Sequence, residues 1–194
     1  FRLLWVGAIA AVVLLAGGLL GSNWLQDRAE AQLFSSNILY RQQTPYQRII
    51  VTRNERTKKI RLYLDGHLQF AQADEYRYHE GLVHPLMAME GSHQSILILG
   101  GGDGLAIREI LKFEDVERID LVDIDPAMTK LAKTLGPLRR LNKDAFYDPR
   151  VHVHHQDAFS FVQSQGRLGT PDPNMPVRWD RVIIDLPDPH DEAL

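Results

Sequence analysis

Ser95–Gly104 reads SILILGGGDG, and the reading of this stretch decides the fold. Ile96, Leu97, Ile98 and Leu99 run into Gly100, Gly101 and Gly102, then Asp103 and Gly104, and a helical pattern, AIREILKF, follows. An apolar strand, a glycine turn and a helix start are the parts that cradle nucleotide-like ligands in Rossmann-type sheets. Asp103 inside the turn is the departure. A carboxylate there repels a pyrophosphate and suits a cation, so the expected ligand is a nucleoside cosubstrate carrying positive charge.

Downstream, the period alternates between strand and helix. Strands are predicted at Ser95–Leu99, Arg118–Asp123, Val151–His155 and Arg181–Ile184. Helices are predicted from Leu105 to Phe113, Ala127 to Leu135 and Phe159 to Gln165. Alternation of this kind implies a doubly wound parallel sheet in an α/β domain, here incomplete at its C-terminal side. In such sheets ligands bind beyond the carboxyl ends of the strands. Each of those ends carries an acid: Asp103, Asp123, Asp157 and Asp185, with Asp188 just beyond. One such aspartate is ordinarily a turn or capping residue. Four converging on one crevice point to a site. Position suggests ribose hydroxyls for Asp123 and a nucleobase edge for Asp157 with Ala158. Asp103 would face the cosubstrate tail, leaving Asp185 and Asp188 for a second substrate and the chemistry.

Upstream, Asn37–Gln43, Gln47–Arg53, Ile60–Leu64 and His67–Ala71 read as a small antiparallel sheet, with Asp65-Gly66 as a hairpin turn. Asp74 is the expected N-cap of a helix from about Glu75 to Met89, closed by Gly91. Leu3–Leu20 is uncharged and almost wholly apolar, long enough as a helix to approach the roughly 30 Å of a bilayer core, with Trp5 and Trp24 near its ends. The expected organisation is a transmembrane helix over 1–25, a connector over 26–36, a β domain over 37–73 and a Rossmann-like domain over 74–194. Phe1 in place of a methionine, and an end close behind a strand, suggest a segment of a longer chain.

A net charge of −3 gives no electrostatic case for nucleic acid. The absence of cysteine excludes disulfides, thiolate metal sites and cysteine nucleophiles. His152, His154 and His155 lack a further ligand cluster and are expected to be solvent-facing or packing residues, so no metal site is expected. Arg139, Arg140 and Lys143 read as a solvated basic patch. Tyr76 and Tyr78 have a plain reading as core-facing aromatics.

GGGDG, LDGHLQFAQADEYRYHEGLVHP, DID after the second strand, QDAF after the third and IIDLPDP together resemble the spermidine synthases, the polyamine aminopropyltransferases, over about Tyr46–Leu194. With the apolar helix in front, the chain is similar to the membrane-embedded bacterial branch, of which it would hold the last span. The resemblance implies transfer of an aminopropyl group from decarboxylated S-adenosylmethionine to putrescine, giving spermidine and methylthioadenosine, without a further cofactor. It implies Asp185 as the base and Asp188 as a diamine anchor. Gln47, Asp123, Asp157 and Ala158 would bind cosubstrate with Gly100 and Gly102; Tyr78 and His79 would line the amine channel; Asp103 would contact the aminopropyl or polyamine nitrogen. Gln69 and Glu80 match as well. It further implies a multi-pass protein of the bacterial inner membrane with a cytoplasmic catalytic domain, homo-oligomerisation being open. Leu186-Pro187 and the residues from His190 depart from the family pattern, which leaves the acceptor amine open. An ordinary S-adenosylmethionine methyltransferase and a non-catalytic polyamine or nucleoside binder on the same fold are the alternatives.

Overall fold

The computed structural model describes residues 36–164 and 179–186, with Gly18 besides. The expected span over 1–25, most of the connector, the proline-containing loop from Gly166 and Asp188 lie outside the described residues. Among the described residues no helix is long and apolar enough to cross a membrane.

Four strands, β1 (Asn37–Gln43), β2 (Arg48–Arg53), β3 (Ile60–Leu64) and β4 (His67–Ala71), form an antiparallel meander in that order. The β3–β4 turn is tight because Asp65 and Gly66 both adopt positive φ, 49° and 84°, as a two-residue hairpin requires. Helix α1 (Glu75–Met87) follows. Asp74 precedes it but makes no side-chain capping bond, and the helix ends two residues earlier than expected, ahead of Gly91. The acid of its first turn, Glu75, points inward instead and is buried.

The second sheet is parallel: β5 (Ser95–Gly100), β6 (Arg118–Val122), β7 (Val151–His154) and β8 (Arg181–Asp185) lie in the order β7-β6-β5-β8. Helices α2 (Leu105–Ile110), α3 (Pro126–Thr134) and α5 (Ala158–Ser164) connect them, with α4 (Gly136–Leu141) and a single 3-10 turn (Ala145–Tyr147) between α3 and β7. The last two elements were not anticipated. Gly136-Pro137 reads as a break, yet proline fits the first turn of a new helix, where its missing N–H has no partner to lose. The basic patch is exposed, as expected, with Arg139 paired to Asp144 and lying 5.0 Å over the Tyr147 ring.

One core joins both sheets. Ile49, Val51, Ile60 and Leu62 of the meander pack with Val83 of α1, with Ile96, Ile98, Ile119 and Leu121 of the parallel sheet, and with α2. β8 is the outermost described strand on its side, and its Val182 and Ile184 are exposed. Buried Asp125 ties the two sheets together by hydrogen bonds: Oδ2 accepts from Thr44 Oγ1 and Gln47 Nε2, each at 2.9 Å, while Oδ1 caps α3 through Ala127 N.

The histidines of β7 separate. His154 is half-buried and donates from Nε2 to Asp120 Oδ1 at 2.7 Å, while His152 and His155 are exposed, the latter with Nε2 2.8 Å from Thr129 Oγ1. Asp120, buried in β6, also accepts two bonds from Arg118 and one from Trp179 Nε1. Burial alone would raise its carboxyl; the hydrogen bonds from Arg118, His154 and Trp179 overcome this and hold it at about 2. With the folded value below the unfolded one near 4, this stabilisation is present above pH ~4 and lost as pH falls toward 2. Asp120→Asn leaves three donors facing a weaker acceptor and should cost about 2–3 kcal/mol at neutral pH. In urea unfolding, the difference between wild type and variant should shrink steadily between pH ~4 and ~2.

Candidate active site

A cleft of about 610 Å³ opens at the carboxyl ends of β5, β6 and β8, roofed by the β3–β4 hairpin and bordered by α1 and the start of α5. Asp103, Asp123, Asp157 and Asp185 all line it, as do Gln47, Gln69, Tyr78, His79, Gly100, Gly102 and Ala158. Of the expected residues, Asp188 lies outside the described ones. Glu80 is not in the wall: it sits exposed on α1, 3.8 Å from Lys112. Tyr76 and Tyr78 are both exposed rather than core-facing, and only Tyr78 reaches the cleft.

Parallel pairing places the acids. Gly100 is in register with Asp185, so the end of β8 lies directly beside the glycine turn. Gly100 has φ +87°, and a Cβ there would fall 2.2 Å from the Asp185 carbonyl oxygen. Gly101 N donates to that same oxygen at 2.9 Å, fastening the turn to β8. On the other side a Cβ at Gly102 would fall 2.2 Å from Asp123 Oδ2. The glycines therefore let two strand-end carboxylates close in on the turn.

Each acid is anchored through its Oδ1. Asp103 Oδ1 accepts from Leu105 N at 2.9 Å, and Asp123 Oδ1 from Asp125 N at 2.8 Å. Asp185 Oδ1 accepts from the Tyr78 hydroxyl at 2.9 Å, and Asp157 Oδ1 from Ser160 N at 2.8 Å. Asp157 sits at the exposed rim, and the Ser160 hydrogen bonds lower its carboxyl. The three inner acids move the other way. Burial raises Asp103 against the opposing charge of His79, with Asp185 and Asp123 adding repulsion. Burial also raises Asp123, and raises Asp185 despite His79 and the Tyr78 hydrogen bond.

Among the lining residues there is no lysine or arginine. A ring nitrogen of His79 and one carboxylate oxygen each of Asp103 and Asp185 lie within 4.8 Å of one another. The trio gathers one ring nitrogen and two carboxylate oxygens about a single point, where the carboxylates suit an ammonium group. Sequence reasoning missed the apolar wall. Leu62, Leu64 and Leu68 of the hairpin, with Ile124, Met128, Phe159 and Leu186, complete the cleft. The available signal was adjacency: Ile124 follows Asp123, and Phe159 follows Asp157-Ala158. It also missed Glu75 and Arg108 behind His79, where an inward charged pair shows no mark in the sequence.

The model of the spermine/spermidine synthase domain matches residues 75–193. A polyamine aminopropyltransferase of Oceanobacillus iheyensis is 41% identical over 97% of this chain and 34% of its own length. Polyamine aminopropyltransferase 1 of Streptomyces coelicolor is 42% identical over 100% of this chain and 35% of its own. The chain thus spans about a third of the length of these curated relatives. Among solved structures, spermidine synthase from Thermotoga maritima superposes with a TM-score of 0.67 at 29% identity, covering 79% of this chain and 48% of that one. A spermidine synthase in complex with the transition state analogue AdoDATO matches with a TM-score of 0.67 at 30% identity, over 79% of this chain and 48% of that one.

Two glycine substitutions should differ in outcome. Gly102→Ala pushes on the movable Asp123 carboxylate, so the fold should persist. Gly100→Ala meets backbone at an unfavourable φ and should destabilise the β5–β8 pairing by about 2 kcal/mol or more. Thermal melts should show a clear drop in midpoint for Gly100→Ala and little change for Gly102→Ala.

Proposed function

The chain belongs to the spermine/spermidine synthase family, and on that premise we propose that it is a polyamine aminopropyltransferase. It would transfer the aminopropyl group of decarboxylated S-adenosylmethionine to putrescine, giving spermidine and methylthioadenosine. The carrying observation is an acid-lined cleft with no lysine or arginine in its described wall. The donor bears a sulfonium and an ammonium and no carboxylate, so it suits a wall rich in acids and free of lysine and arginine. Ordinary S-adenosylmethionine would bring a carboxylate to the same acids with no lysine or arginine in the described wall to receive it, which disfavours a methyltransferase.

In this reading Asp123 accepts from the ribose hydroxyls, with Gln47 beside it. Asp157 and Ala158 take the adenine edge, with Ile124 and Phe159 as apolar walls for the base. Gly100 and Gly102 let the donor approach the backbone closely. Asp103 faces the aminopropyl ammonium. Tyr78, His79, Gln69 and Asp188 hold the diamine, and apolar Leu186 borders its methylenes. An amine of pKa near 10 arrives protonated and has no lone pair to attack with. Asp185 takes its proton; the raised affinity of this carboxylate for protons and the Tyr78 hydroxyl on Oδ1 suit it to that task. The nitrogen lone pair then forms a bond to the carbon beside sulfur. The carbon–sulfur bond breaks with its electrons going to sulfur, and the neutral thioether departs. Positioning and charge supply the acceleration.

The apolar run at 3–20 supports placing a membrane span there, with the catalytic domain on the cytoplasmic side where both substrates are made. Protease added to right-side-out vesicles should leave the domain intact, and to inside-out vesicles should digest it.

With both cosubstrates offered separately to the full-length protein, mass spectrometry should find aminopropyl transfer and no methyl transfer. Asp185→Asn should lower kcat by about 10²–10⁴-fold while methylthioadenosine binding changes little. Methyl transfer alone, or binding without turnover in the wild type, would overturn the assignment.

A further inference from the structure

His79 is buried among acids, and its environment is organised from behind. Its Nδ1 lies 2.8 Å from the Glu75 carbonyl oxygen and 3.0 Å from Glu75 Oε2. Both are acceptors, so Nδ1 carries the proton and Nε2 is the nitrogen with which the ring addresses the cleft. Glu75 is itself clamped: Arg108 donates from Nη1 to Oε1 at 2.8 Å and from Nη2 to Oε2 at 2.9 Å. Arg108 is anchored in turn by the Leu141 carbonyl and by Glu109 Oε1, whose other oxygen accepts from His84 and Lys112. All of Glu75, His79, Arg108 and Glu109 are buried.

We propose that the Glu75–Arg108 pair positions and charges His79 so that the empty cleft holds its own cation, which the incoming polyamine displaces with release of the His79 proton. This rests on the polyamine reading above. An imidazolium between Asp103 and Asp185 neutralises carboxylates that would otherwise repel one another. When an ammonium group takes that place, two cations compete for the same acids, and the ring answers by losing its Nε2 proton. Neutral His79 keeps its Nδ1–H on Glu75 and turns a lone pair toward the ammonium. Glu75 and Arg108 touch no substrate; they act through the ring.

The groups facing His79 are Glu75 on its own helix, Tyr78 beside it, Asp103 from the glycine turn and Asp185 from β8, with Arg108 of α2 behind Glu75. Burial opposes the imidazolium, but Glu75, Asp103 and Asp185 overcome this and raise the His79 pKa. Polyamine affinity should therefore weaken as pH falls through that raised value, approaching tenfold per pH unit. The raised acids Asp103 and Asp185 give a limb of the same sign, and the sign of its displacement tells the sources apart. Glu75→Gln removes support for the imidazolium and moves a His79 limb to lower pH. By neutralising His79, the same change strips Asp103 and Asp185 of the positive charge that lowers them and moves their limb to higher pH.

The test is calorimetric titration of the full-length protein with putrescine, saturated with methylthioadenosine, from pH 5 to 9. Expected for Glu75→Gln is a binding limb displaced downward by about one pH unit, with affinity on the alkaline plateau within about threefold of wild type. A merely structural role would weaken binding at every pH without displacement. His79→Gln, which leaves Glu75 and Arg108 in place, should remove the His79 limb and serves if Glu75→Gln does not fold. A limb that stays put or moves upward in Glu75→Gln, or survives unchanged in His79→Gln, overturns the proposal alone. Absence of putrescine binding at every pH overturns it together with the polyamine assignment.

Discussion

Like charge gathered in one place is the constraint on which the rest of this structure depends. Asp103, Asp123 and Asp185 converge at one end of a parallel sheet, each raised in pKa by burial, and no lysine or arginine lines the described wall. Such a cluster destabilises the empty fold and favours any cation that enters. The scaffold tolerates it because each carboxylate keeps one oxygen on a fixed donor, and because the core beneath is continuous through both sheets.

Two buried acids elsewhere show the opposite design. Asp120 and Glu75 are each met by several donors and held at about 2, so they remain charged at every physiological pH. Burial is shared by both sets; the number of donors separates them. Asp120 joins β6 to β7 and to Trp179, while Glu75, clamped by Arg108, turns its negative charge to His79 at the edge of the cleft. Structural acids are saturated with partners here, and site acids are left short of them. That difference is what makes the cleft a place where an ammonium group gains more than it loses on leaving water.

How far the sequence could be read followed the range of the interactions involved. The strands were legible nearly to the residue, because Ile96–Leu99 and Arg118–Val122 carry local apolar patterns and the glycine turn marks one end. The four strand-end acids were legible as a group because parallel topology sends strand ends to one side. Asp74, by contrast, fits the local pattern of a cap yet makes no capping bond, and the acid that matters at that helix start turns into the core. His154 reads as a surface histidine, but its partner Asp120 is 34 positions away. Helix α4 was hidden by a Gly-Pro pair that reads as a break.

The sequence by itself determined the α/β class, the antiparallel meander before it, the glycine turn and the acidic character of the site, since these rest on periodicity and on side chains near one another in the chain. Only the tertiary structure decided which donors reach which acids. Asp125 bridging the two sheets, Tyr78 on Asp185, and Arg108 behind Glu75 and His79 all join residues on separate elements. The physical reason is that a carboxylate's charge state is set by burial and by the donors within hydrogen-bonding reach, and both are fixed by how elements pack rather than by their order along the chain.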